Sequence, residues 1–232
     1  MKDIDFESFE KKIDTKFNDI ALLKKAFTHR SYINENKGTK LEHNERLEFL
    51  GDAVLELSVT EYLFTKYPNK TEGELTSLRA ALVNTQALST VAESLGVNEY
   101  LLLSKGESKD TGRARSYILA NTVESIIGAI YLDQGYKPAD RFILKFIIPR
   151  IAEILETKSW IDAKSLFQEK AQETTNITPR YETIKETGPD HDKFFTVGVY
   201  IGDELVSNGD GNSKQEAEQE AARRALEEKG WA

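Results

Sequence analysis

The sequence predicts a multidomain protein, part all-α and part α+β. An all-helical domain is expected over residues 1–156, a short polar connection over 157–161 and an α-β-β-β-α domain over 162–232. Apolar residues recur at helical spacing through the first part, as in Leu47, Leu50, Val54, Leu57 and Leu63. After Leu155 the pattern changes. Phe195, Val197, Val199 and Ile201 alternate with Thr196, Gly198 and Tyr200, the period of a half-buried strand. The length of 232 residues suits two small domains.

Within the first part, Leu22, Leu23, Ala26 and Phe27 mark one helix, and Ile118, Val123, Ile126, Ile127, Ile130 and Tyr131 mark another. A further helix is expected over about Ala139–Glu156, with breaks at Asn36–Thr39, Pro68–Gly73, Gly96–Asn98, Gly106–Gly112 and Gly135–Pro138. In the second part a helix at Ala163–Thr175 precedes strands at Arg180–Lys185, Phe194–Ile201 and Glu204–Gly209. Gly202–Asp203 forms a tight hairpin turn. The last helix, Ser213–Lys229, carries Ala217, Ala221 and Ala225 on one face. Ser213 and Glu216 have the spacing of a capping box.

Composition excludes several classes. With no cysteine there are no disulfides, thiolate zinc sites or cysteine nucleophile. Three histidines are too few for a His-rich metal site. No apolar run reaches the roughly 18 residues of a membrane span, and the start of the chain is acidic, so we expect a soluble, cytoplasmic protein with no membrane partner. The net charge of −8 argues against a general nucleic-acid binder. That sum, however, also counts any carboxylate cluster serving a metal.

Such a cluster is visible. Glu45, Glu48 and Asp52 are spaced three and then four residues apart, which puts their carboxylates on one helix face. Leu47, Leu50, Val54 and Leu57 fall opposite and are expected to pack. Like charges at this spacing repel, so the stripe is either a solvated acidic face or a place for a divalent cation. Hard oxygen ligands suit Mg2+ or Mn2+. Asn121 and Glu124 form a second pair inside the apolar helix ILANTVESIIGAIYL. Glu72 is expected in the loop before a helix starting near Leu75.

These residues resemble a known family. Asn44–Leu55 (NERLEFLGDAVL) resembles the signature of bacterial ribonuclease III, a double-stranded-RNA endonuclease. AFTHRSY (Ala26–Tyr32), EGELTSLRAALV (Glu72–Val83) and the helix around Ile118–Asp133 resemble its other hallmarks, and the C-terminal unit resembles its double-stranded-RNA-binding domain. The resemblance covers essentially the whole chain. It implies a homodimer that hydrolyses phosphodiester bonds of double-stranded RNA by divalent-metal catalysis, leaving 5′-phosphate ends with two-nucleotide 3′ overhangs. The implied roles are ribosomal-RNA precursor and mRNA processing. It implies Mg2+, with Mn2+ able to substitute, and no small-molecule cofactor beyond the metal.

The same resemblance assigns residues. Glu48, Asp52, Asn121 and Glu124 fall on metal-ligand positions. Asp52, Glu124, Glu45 and Glu72 fall on positions tied to catalysis, with Glu45 and Phe49 also at the dimer interface. Phe49 reads equally well as an intrachain core residue. His29 and His43 lie in family motifs and read as structural. For RNA binding, Ser165, Gln168, Glu169 and Gln172 match a first minor-groove contact, His191 a second and Lys214 a phosphate contact. Arg113 and Arg115, in the basic loop Ser104–Ser116, read as backbone contacts.

Two departures stand out. The family has Asp where this chain has Asn121, which lowers the formal charge of the four ligand positions from −4 to −3. Three readings follow: a natural variant that keeps activity, a substitution made to trap substrate, or a double-stranded-RNA-binding regulator with impaired cleavage. Residues 162–232 also carry 9 Lys and Arg against 15 Asp and Glu, a net of −6, unusual for an RNA-binding domain.

Overall fold

The computed structural model describes residues 4–157, 160–189 and 193–231. The chain divides into two compact units, Met1–Trp160 and Ile161–Ala232.

The first unit is helical: α1 (Phe6–Ile13), α2 (Ile20–Ala26), α3 (Arg30–Glu35), α4 (Glu45–Lys66), α5 (Glu72–Val83), α6 (Thr85–Ser94), α7 (Arg113–Gln134), α8 (Tyr136–Phe146) and α9 (Ile151–Thr157). The two 22-residue helices α4 and α7 pack along each other at its centre. Helix α7 is buried almost all round, with Val123, Ile126, Ile127 and Ile130 inaccessible to solvent. A helix this apolar belongs to the middle of a bundle. Phe6, Phe9, Phe27 and Tyr100 close one end as a ring cluster. Among the described residues no helix is long and apolar enough to cross a membrane.

Several boundaries differ from expectation. The helix expected over Ala139–Glu156 is broken into α8, a 3-10 turn at Ile148–Arg150, and α9. Pro149 lacks the amide hydrogen that a continuous helix needs there. Glu72 lies not in a loop but in the first turn of α5, because Thr71 and Glu74 form a reciprocal capping box. Leu57 points outward from α4 and is 57 % exposed, whereas Leu47, Val54 and Leu55 are buried. Trp160, expected in the connection, packs on the first unit's core with the Lys70 ammonium 4.5 Å above its ring.

The second unit runs α10 (Ala163–Thr175), β1 (Arg180–Thr187), β2 (Phe194–Ile201), β3 (Glu204–Gly211) and α11 (Lys214–Lys229). The strands form one antiparallel sheet in the order β1-β2-β3. Gly202, at φ +60°, makes the β2–β3 turn. Phe167, Ala171, Val199, Ala221 and Ala225 form the core between sheet and helices. Ser213 caps α11 by accepting from the Glu216 amide at 3.1 Å, but the Glu216 carboxylate reaches one residue past the expected box, to the Asn212 amide at 2.9 Å.

Candidate active site

The start of α4 is pinned to the rest of the unit. Asn44 is 2 % exposed. Its side-chain amide donates to the Ala26 carbonyl at 3.1 Å and its backbone N–H to the Thr28 carbonyl at 2.9 Å. Two turns on, α4 meets α7 main chain to main chain. A Cβ on Gly51 would lie 1.7 Å from the Glu124 carbonyl oxygen, and one on Gly128 would lie 2.2 Å from that of Leu47. An interior helix glycine costs roughly 0.5–1 kcal/mol against alanine, and here it permits the crossing. Neither glycine stood out in the sequence reading. Their position inside strongly periodic helices was the available signal.

The crossing brings Glu48 and Asp52 of α4 beside Asn121 and Glu124 of α7. The Asn121 amide donates to Glu48 Oε1 at 3.0 Å. Burial, then the nearby charges of Asp52 and Glu48, push the Glu124 carboxyl up to about 8. Burial and Glu45 raise Glu48, partly offset by the Asn121 hydrogen bond, while burial and Glu56 raise Asp52. No basic side chain holds any of the three down. Three carboxyl groups thus share a partly desolvated space without a counter-charge from the protein. Oxygen-only donors in that state fit a hard divalent cation. Among the described residues no three acidic or imidazole groups are already gathered as a metal cage. The potential ligands face one another across two helices.

The remaining acids have partners of their own. Glu45 is half-exposed and pairs with Arg30 at 3.2 Å, with His43 Nδ1 3.7 Å away. Glu72 accepts from Thr76 Oγ1 at 3.0 Å and lines a groove with Thr60, Phe64, Leu75 and Arg79. Phe49 is 81 % exposed, which removes its reading as an intrachain core residue. With Leu57 and the 73 %-exposed Phe64 it forms an apolar stripe along α4. His29 is structural within the chain: its Nδ1 caps α3 by accepting from the Ser31 amide at 3.3 Å.

The two arginines differ. Both belong to the first turn of α7 rather than to the loop. Arg113 is exposed. Arg115 binds the loop together, donating through Nε to the Asp110 carbonyl (3.0 Å), Nη1 to Asn98 Oδ1 (3.2 Å) and Nη2 to the Glu107 carbonyl (2.6 Å). Three of its five N–H donors are thereby engaged within the chain.

In the second unit, Ser165, Gln168, Glu169 and Gln172 are all exposed on one face of α10 and line a shallow groove. Asp162 caps that helix, accepting from the Ser165 amide at 3.2 Å and from Ser165 Oγ at 2.8 Å. Gln172 Oε1 accepts from Thr178 Oγ1 at 3.0 Å, which leaves its amide hydrogens to face outward. Lys214 opens α11, its ammonium 5.7 Å from the Phe195 ring centre. His191 lies outside the described residues.

Residues 19–151 match the model of the ribonuclease-III-like family, and residues 163–229 match the double-stranded RNA binding motif. The chain is 46 % identical to ribonuclease 3 of Carboxydothermus hydrogenoformans over 95 % of this chain and 94 % of that one. It is 44 % identical to ribonuclease 3 of Borreliella afzelii over 94 % and 89 %. A solved nuclease domain of ribonuclease III from Campylobacter jejuni is similar at 42 % identity and a TM-score of 0.57, covering 65 % of this chain and 97 % of that one. A helical nuclease unit followed by a double-stranded-RNA-binding unit defines an endoribonuclease that acts on double-stranded RNA. The chain belongs to the ribonuclease III family.

Proposed function

We propose that the chain hydrolyses double-stranded RNA at the α4–α7 crossing as a homodimer, with Mg2+ held by Glu48, Asp52, Glu124 and the Asn121 carbonyl, and with Mn2+ able to replace it. The observation that carries this reading is that Glu48 and Asp52 of α4 and Glu124 of α7 act on one another across the helix crossing without a basic neighbour, with Glu124 pushed up to about 8. When bound, such a cation supplies Lewis acidity, offsetting phosphate charge and lowering the pKa of water. The chain's own residues fix the positions. Asn44 pins the α4 end, Gly51 and Gly128 set the crossing, and Asn121 holds Glu48 through a neutral hydrogen bond.

The exposed stripe of Phe49, Leu57 and Phe64 supports a second copy of the chain as the partner, since a monomer gains nothing by leaving it wet. A region of the Campylobacter jejuni nuclease domain is involved in dimer formation. Glu45 and Glu72 flank this stripe and serve it or the substrate. In the second unit, the uncharged Gln168 and Gln172 suit 2′-hydroxyls in an A-form minor groove, and Lys214 suits a phosphate. Products with 5′-phosphate ends and two-nucleotide 3′ overhangs, from ribosomal-RNA precursors and mRNA in the cytoplasm, complete the proposal.

The test is single-turnover cleavage of a long RNA hairpin by the full chain and by Asp52→Ala, with product ends mapped and duplex binding measured. Cleavage by the chain, lost in Asp52→Ala while binding persists, is the expected result. Undiminished cleavage by Asp52→Ala overturns the metal assignment. A second reading, a non-cleaving double-stranded-RNA-binding regulator, rests on the neutral Asn121. Binding without cleavage, rescued by Asn121→Asp, would establish it.

A further inference from the structure

We propose that Tyr117, braced by Arg113, is a positioning residue that holds the RNA backbone phosphate next to the one being cut. This rests on the reading of the α4–α7 crossing as the cleavage site. From residue 117 to residue 130 of α7, only Tyr117, Asn121 and Glu124 escape burial. Their spacing of four and three residues makes them one line on the helix. Arg113, exposed and four residues before Tyr117, extends that line outward.

The geometry suits an anion. Arg113 Nη2 donates to the Tyr117 hydroxyl at 3.5 Å, and the guanidinium carbon lies 5.9 Å from the centre of the tyrosine ring. Because the hydroxyl accepts that bond, its own proton is free to donate outward. Among the described residues the other guanidinium hydrogens of Arg113 have no partner, whereas three of those of Arg115 are engaged. Tyr117 is 45 % exposed and makes no other hydrogen bond or ring contact among the described residues. A cation and a phenol held together offer a forked set of donors, which matches a phosphate diester.

The ligand class follows from what a duplex exposes. Its bases are paired and stacked, so a helix surface meets phosphates and 2′-hydroxyls. Along α7, Tyr117 precedes Asn121 by about 6 Å, four residues at the helical rise. A strand lying along this line places one phosphate at the carboxylates and the next within reach of the phenol. A tyrosine used this way fixes which bond is presented without ligating the metal.

The test uses the full chain and hairpins bearing one uncharged methylphosphonate at successive positions around the cut. For the unsubstituted chain, neutralising the adjacent phosphate should slow single-turnover cleavage on the order of tenfold, the effect of one hydrogen bond to a charged group. The doubly substituted Arg113→Ala/Tyr117→Phe chain should be slower by a similar factor on native RNA and lose nothing further on the modified hairpin. Its half-saturating Mg2+ concentration and its melting temperature should not move. An equal methylphosphonate penalty in both chains overturns the proposal, as does full activity of the double variant. Glu124→Gln separates the two readings. If it is inactive while the Arg113→Ala/Tyr117→Phe chain is indistinguishable from the unsubstituted chain, only this inference fails; if Glu124→Gln still cuts, the cleavage site itself is misassigned.

Discussion

Gly51 lies against the main chain of Glu124, so close that a methyl group there would fall 1.7 Å from the Glu124 carbonyl oxygen. The carboxylates of two helices are set by that contact. Gly51→Ala should therefore force α4 and α7 apart, costing about 3 kcal/mol in urea unfolding and removing cleavage. Gly73→Ala is the control. Nothing lies within 4 Å of its Cβ position in α5, so it should be neutral or stabilising by up to ~1 kcal/mol.

The Asn121 amide donates to Glu48 at 3.0 Å. Asn121→Asp replaces that donor with a further carboxylate. Without metal the variant should melt lower by about 1–2 kcal/mol. With Mg2+ it should reach half-maximal cleavage at a several-fold lower concentration. Thermal melts in chelator, paired with a Mg2+ titration, check both. A higher melting point without metal would contradict the hydrogen bond.

Glu124 gives the site a pH signature. Its carboxyl is raised from 4.5 to about 8 in the fold, so the folded state holds a proton that the unfolded chain releases. The associated stability is complete below about pH 4.5 and is lost as pH rises through about 8. In the metal-free protein Glu124→Gln should thus stabilise at pH 9, on the order of 2 kcal/mol, and have little effect at pH 5. Differential scanning calorimetry at the two pH values checks this, and Mg2+ should abolish the gain.

Phe49 contributes little to its own unit's core. Phe49→Ser should leave monomer stability within about 0.5 kcal/mol while shifting sedimentation from dimer to monomer at micromolar concentration. A variant that still sediments as a dimer would place the interface elsewhere than the stripe on α4.

Arg115 spans Asn98, Glu107 and Asp110. Arg115→Ala should raise amide hydrogen exchange across residues 104–112 and cost about 1–2 kcal/mol. The salt dependence of duplex binding should stay unchanged, where loss of a direct phosphate contact would lower its slope by about one.

The reach of the sequence was uneven, for physical reasons. The acidic stripe, the Asn121–Glu124 pair and the alternation of β2 are local patterns, and the family resemblance, not the spacing, singled out Glu48, Asp52 and Glu124 among them. Orientation depends on partners far along the chain. Leu57 and Phe49 look like core residues by period alone, yet α7 packs on the Leu47–Val54 side and leaves them outside. Arg115 reads as a free cation because its acceptors are carbonyls, which a sequence does not reveal. Pro149 could have marked the break after α8. The crossing at Gly51 and Gly128, a contact between residues 77 positions apart, was beyond any local pattern.

The second unit uses most of its cations on itself. Of its nine Lys and Arg, seven pair with carboxylates of the same unit: Lys164, Lys170, Arg180, Lys193, Arg223, Arg224 and Lys229. Lys185 and Lys214 are in no ion pair among the described residues. Few counterions should then be displaced when a polyanion approaches, and we expect weak indiscriminate attraction to DNA or to single strands. If α10 holds RNA as proposed, retention then depends on how a duplex groove fits Ser165, Gln168, Glu169 and Gln172, and a duplex that does not fit is let go quickly.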